Sequence, residues 1–146
     1  MVDKNLILRK ISTLDEYLKQ INEYANISLT DYKADWKIQR IVERTLQMMI
    51  ETCLDVSGHI ISDEKLRVPE TYSDMFRILV ESDILRGSQL EAFEKMAKFR
   101  NIIVHDYEKI DAEIVLGILQ KNLNDFETFK TTIIDYLKTR AKAPKS

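Results

Sequence analysis

The sequence predicts an all-α protein, an antiparallel bundle of about five helices, and three observations carry that expectation. Only 3 Gly and 2 Pro occur in 146 residues, against 45% hydrophobic and 32% charged side chains, which is the composition of long helices joined by short turns. Apolar residues recur at steps of three and four, the period of a helix face and not the alternation of a strand. No Gly- or Pro-rich stretch divides the chain, and its length suffices for a single core. One domain is expected over residues 1–138, followed by a frayed basic tail at 139–146.

In order along the chain, Ile7, Ile11, Leu14, Leu18, Ile21 and Ala25 trace one seam and predict the first helix. Val42, Leu46, Met49, Cys53, Val56 and Ile60 predict a second from about Asp31 to Ile61, flanked by charges that include Arg40, Glu43, Arg44 and Glu51. At ~1.5 Å per residue that helix is about 45 Å long, more than a small globule needs, and its surplus surface suits a dimer. The pattern breaks between Ser62 and Pro69. Thr71-Tyr-Ser-Asp74 is a capping signature ahead of Met75, Phe76, Leu79 and Val80 in a short third helix. Arg86-Gly87-Ser88 reads as a stop and a start, Gly87 supplying left-handed geometry and Ser88 with Glu91 a capping box for a fourth helix running towards Ile103. Asp111 then caps a final helix that carries Leu116, Leu119, Leu123, Phe126, Ile133 and Leu137 on one side.

Composition also excludes whole classes of function. With 22 Lys and Arg against 24 acids and a formal charge of −2, there is no global basic stripe for duplex nucleic acid. A single Cys, Cys53, excludes an internal disulfide and a multi-Cys zinc site. No apolar run is long enough to span a bilayer and no leader pattern opens the chain, so a cytoplasmic protein is expected. The sequence has no Gly-rich phosphate loop and no nucleophile elbow, which leaves kinase, α/β-hydrolase and deaminase readings unsupported.

The informative segment is Phe99-Arg-Asn-Ile-Ile-Val-His-Asp-Tyr107. Leu90, Phe93, Ala97, Arg100 and Val104 share one helical stripe, so Arg100 occupies a place where a Leu is expected. A guanidinium there must be paired, face a second subunit or line a pocket, because burying an unpaired charge costs several kcal/mol, roughly.

Arg100, Asn101, His105 and Tyr107 together form Arg-Asn-x-x-x-His-x-Tyr, which resembles the signature of the HEPN superfamily (higher eukaryotes and prokaryotes nucleotide-binding) and, in this extended form, its HepT toxin subfamily. Thr45 to Ser62 and Val68 to Leu79 are similar to the preceding helices of that family. The resemblance implies a homodimeric helical bundle with the motif at the dimer cleft. It also implies metal-independent endoribonuclease activity without a cofactor, and a minimal nucleotidyltransferase as antitoxin partner. In that scheme His105 and Arg100 are catalytic, Asn101 binds phosphate or ribose, and Tyr107 receives AMP groups that silence the nuclease.

Side-chain chemistry is compatible with this. Cleavage through the RNA 2′-hydroxyl needs a base, an acid and positive charge on the phosphorane; imidazole titrates near neutrality and guanidinium grips phosphate oxygens. Residues five apart on a helix differ by about 140° in direction, so Arg100 and His105 of one chain do not readily aim at one atom, whereas two copies about an axis do. A net-negative protein must also concentrate positive charge at its cleft, for which Arg40, Arg44, Lys95 and Lys98 are candidates.

Plainer readings stand beside these. Arg100 can be a helix-end cation that satisfies carbonyls or pairs with a carboxylate, His105 can be a capping or surface histidine, Asn101 an ordinary flank residue, and Tyr107 a loop tyrosine folded on a core edge with its hydroxyl in water. A binding module that docks the nucleotidyltransferase and holds nucleotide or phosphate without cutting is the main alternative; a structural adaptor is another. His59, with Asp55 and Glu51 at four-residue steps before it, is read as an ion-paired face and not a metal site. Trp36, Tyr32 and Tyr24 are read as packing residues, and Met48 and Met49 as core filler.

Overall fold

Five helices of ten or more residues, joined by short connections, make up the computed structural model, which describes residues 2–142. They are α1 (Lys4–Ile21), α3 (Trp36–Asp63), α4 (Tyr72–Glu81), α5 (Leu90–His105) and α7 (Leu123–Lys142), with two six-residue helices, α2 (Leu29–Ala34) and α6 (Ala112–Gly117), between them. Consecutive helices packed side by side through short links run antiparallel, as expected of such a bundle. The central helix is α3, which contacts α1 and α2 as well as α4 and α5, while α7 lies on α1. Its predicted seam, Val42, Leu46, Met49, Cys53, Val56 and Ile60, is fully buried. Ile50, Leu54 and Ile61 add a second buried stripe, as a helix packed on two sides requires. From α4, α5 and α7 come Phe76, Phe93 and Phe129, whose ring centres lie 5.2 to 6.4 Å apart in stacked and edge-on pairs.

Two predicted helices are interrupted. The helix expected from Asp31 breaks at Asp35, whose backbone is extended and whose side chain accepts from the Lys37 and Ile38 N–H groups at 3.0 and 3.2 Å. A short carboxylate that can satisfy two orphan donors favours a new helix start over continuation. The final helix begins as predicted, with Asp111 accepting from the Glu113 N–H at 2.8 Å. It then passes through a π-helical turn, Ile118–Asn122, before α7. Thr71 caps α4 as expected, accepting from the Asp74 N–H at 3.0 Å.

The predicted stop at Gly87 is displaced. The left-handed residue is Asp83 (φ 59°), and the Ile84 N–H closes the helix end on the Leu79 carbonyl at 2.8 Å; no glycine among the described residues has positive φ. Gly87–Gln89 instead forms a 3₁₀ turn that contains Ser88, and α5 starts at Leu90 without a side-chain cap. Lys65 (φ 55°) plays the part of Asp83 after α3. Aspartate tolerates this conformation, and neither position carries the glycine that would have marked it. Ala25 lies beyond α1, after a 3₁₀ turn at Asn22–Tyr24. Helix α7 extends past residue 138 to Lys142, and the rest of the predicted tail, 143–146, lies outside the described residues.

Candidate active site

The stripe on α5 is buried at Phe93 and Ala97 and emerges at Arg100 and Val104. Arg100 therefore sits where the core face meets the surface, with its side chain 15% exposed. Its Nε donates to Glu51 Oε1 on α3 at 3.2 Å and its Nη1 to Asn101 Oδ1 at 3.3 Å, and the guanidinium lies 4.7 Å from the centre of the Tyr72 ring. Gln47 holds the same Glu51 oxygen at 3.1 Å. Of the five N–H groups a guanidinium carries, three are without an acceptor among the described residues. The requirement placed on Arg100 by its sequence position is thus met in two ways, an intrachain carboxylate and a pocket.

That pocket is a hollow of about 570 Å³ between α3, α4 and α5, lined by Arg100, Glu51, Asp55, His59, Tyr72 and Met75 among others. His59 lies 3.6 Å from Asp55, which also pairs with Lys10 of α1. The acidic row is ion-paired as read from the sequence, and no metal-holding cluster occurs among the described residues.

His105 is the last residue of α5 and faces solvent beside a second hollow of about 510 Å³, lined by Asn101, Ile102, Asp106, Thr71, Tyr72 and Met75. Tyr72 and Met75 form the wall common to both hollows. One chain brings Arg100, Asn101 and His105 to neighbouring openings but not to a single point, as their angular separation on α5 demands.

Tyr107 opens the 3₁₀ turn after α5. Its hydroxyl donates to Glu43 Oε1 at 2.7 Å, and Arg40 both pairs with that oxygen at 3.1 Å and lies 5.1 Å from the ring centre. Burial, and then the bond to Glu43, push the phenol above its ordinary value. The plain reading of Tyr107 puts its hydroxyl in water, whereas the hydroxyl is bonded to Glu43; the residue as a whole stays 43% exposed.

Several expectations need correction. Glu43, read as a flanking charge, is only 6% exposed; the Arg40 step of three was the signal available for it. Trp36, read as packing, is 65% exposed, whereas Tyr32 is buried and Tyr24 packs against the core. Met49 is buried, and Met48 is half-buried. Within one chain Arg40 belongs to the Tyr107 contact, while Lys95 and Lys98 line a separate apolar hollow with Phe99 and Ile102. Tyr72 was missed, its position in the third helix appearing only as part of a cap.

The family described as ribonuclease HepT-like matches residues 14–133 of this chain. The chain belongs to this family. Among relatives of this HepT-like chain, the mRNA nuclease HepT of Shewanella oneidensis is 33% identical over 126 residues, covering 86% of this chain and 93% of the relative. The tRNA nuclease HepT of Aphanizomenon flos-aquae is 28% identical over 138 residues, with 94% of each chain covered. Among solved structures, the tri-AMPylated Shewanella oneidensis HEPN toxin in complex with its MNT antitoxin superposes with a TM-score of 0.82 at 31% identity, covering 92% of this HepT-like chain and 99% of that one. A toxin-antitoxin structure with AMP-PNP gives a TM-score of 0.84 at 31% identity, covering 90% and 99%.

Proposed function

We propose that this protein is an endoribonuclease toxin that works as a homodimer in the cytoplasm, cuts RNA without a metal, and is restrained by a minimal nucleotidyltransferase that adds AMP to Tyr107. The observation that carries the nuclease reading is Arg100: a guanidinium held by Glu51 and Tyr72, with donors left over, on a side chain that lines an open hollow next to that of His105. Fixed, pre-oriented donors are what a phosphorane transition state rewards, since no reorganisation is needed as charge develops.

In this reading the imidazole of His105 in one subunit takes the 2′-hydroxyl proton and that of its mate protonates the leaving 5′-oxygen. Arg100 holds the non-bridging oxygens, and Asn101 positions phosphate or ribose. Imidazole and guanidinium supply every proton and charge the reaction needs. Exposed apolar side chains around the motif, Tyr72 and Val104, with Ile41 next to Arg40 on α3, suit a partner subunit. No helix among the described residues is long and apolar enough to cross a membrane.

The test is cleavage of RNA by the purified protein in EDTA, alongside growth on expression. Cleavage and growth arrest that vanish with His105→Ala are expected. Equal cleavage by that variant, or loss of the wild-type activity in EDTA, overturns the assignment.

A further inference from the structure

We infer that Glu43, which the family signature does not include, is the proton acceptor for AMP transfer to Tyr107, and that Arg40 holds the charge this transfer creates. This rests on the reading of Tyr107 as the modified residue and adds to it a reacting group from the toxin's own chain.

A phenol is a poor nucleophile while it keeps its proton, and it is activated by a base within hydrogen-bond reach. Tyr107 has one: Glu43 Oε1 accepts its hydroxyl proton at 2.7 Å. The two residues are 64 positions apart in sequence, on separate elements, so the contact is made by the fold. The environments differ in a useful way. Tyr107 is 43% exposed and within reach of an incoming nucleotide, whereas Glu43 is 6% exposed and lies on α3. The hydroxyl is held above its ordinary value by burial and by Glu43, so free phenolate is scarce at neutral pH. The proton must therefore leave as the new bond forms.

The step balances with ATP as co-reactant, presented by the nucleotidyltransferase. A lone pair of Tyr107 Oη attacks the α-phosphorus and forms the O–P bond. The bond from that phosphorus to the α,β-bridging oxygen breaks, its electron pair leaving with pyrophosphate. The phenolic proton passes to Glu43. After transfer a phosphodiester anion stands where the hydroxyl was. Arg40, 3.1 Å from Glu43 and 5.1 Å from the ring centre, can turn from the now neutral carboxyl to that phosphate, and Glu43 can donate its new proton to it.

The experiment follows AMP incorporation by intact mass, using the full-length protein, its partner nucleotidyltransferase and ATP across pH 6 to 9, roughly the span in which a side-chain base and a free phenol are distinguished. Glu43→Gln is expected to lower kcat by about a hundredfold, leave the KM for ATP within about twofold, and turn a flat profile into one that rises about tenfold per pH unit as the phenol ionises unaided. Replacing Tyr107 by 3,5-difluorotyrosine, which ionises near neutrality, should restore most of the lost rate in Glu43→Gln. Failure of that rescue in a variant that melts like wild type overturns the inference, as does an unchanged rate in Glu43→Gln. If Glu43→Gln does not fold, the wild-type profile decides: a flat one supports a carboxylate base, and a rise of about tenfold per unit contradicts it. Wild-type protein that takes up no AMP at Tyr107 refutes the modification reading itself.

Discussion

Arg67 and Arg100 are both held by carboxylates, yet they do different work. Arg67 spends its guanidinium on two acids: Nη1 and Nη2 donate to Asp74 at 2.7 and 2.8 Å, and Nε and Nη2 donate to Glu81 at 3.0 Å. That pairing fastens the link after α3 to α4. Arg100 gives one bond to Glu51 and one to Asn101, rests on Tyr72, and lines a hollow with donors left over. An arginine with four of its five donors on two acids locks two elements together, whereas an oriented one with fewer donors engaged is ready for an anion.

The largest effects should separate these two uses. Arg100→Ala and His105→Ala are each expected to cut RNA cleavage by roughly a hundredfold to ten-thousandfold while leaving the melting temperature near wild type, read by cleavage kinetics and calorimetry on the same preparations. The opposite signature belongs to the core. Phe129→Ala, which removes a fully buried ring in contact with Phe76 and Phe93, should cost about 3–5 kcal/mol in denaturant unfolding. The protein that remains folded should still cut RNA.

Arg67→Ala should resemble the core variant more weakly and with a pH signature. Arg67 is the leading cause that holds Asp74 down at about 2 and Glu81 below its ordinary value. A depressed carboxylate contributes stability that is present above its unfolded-state value and lost as pH falls through the folded one. The variant should therefore melt several degrees below wild type at neutral pH, and the gap should close as pH drops from about 4 towards 2. A gap that stays constant in calorimetric scans across that range means the pairing is not its source.

The smallest effect concerns Tyr72. Ring and guanidinium are in contact, and such a contact is worth up to about 2 kcal/mol when partly desolvated. Tyr72→Ala is expected to slow cleavage by about tenfold, whereas Tyr72→Phe keeps the ring and should retain nearly full rate. Equal loss in both variants points to the hydroxyl and away from the ring.

The same contrast explains what could be read from the sequence. Periodicity placed the seams of α1 and α3 because burial of one face is a local pattern, and an arginine at position 100, where that pattern calls for a Leu, flagged Arg100 for the same reason. Glu43 reads only as a flanking charge and Tyr72 only as part of a cap because their roles come from partners distant in the chain: Tyr107 for Glu43 and Arg100 for Tyr72. Breaks at Asp35 and Asp83 were invisible to the apolar period because a side-chain cap and a left-handed turn made them, and at Asp83 the usual glycine is missing.

The central claim is that both His105 imidazoles serve one shared cleft. The direct measurement is the specific activity of a purified, differently tagged heterodimer of wild-type and His105→Ala chains, compared with each homodimer. Activity close to that of the His105→Ala homodimer is predicted, since a single cleft then lacks its acid or its base. Retention of half the wild-type activity would show two independent sites and contradict it.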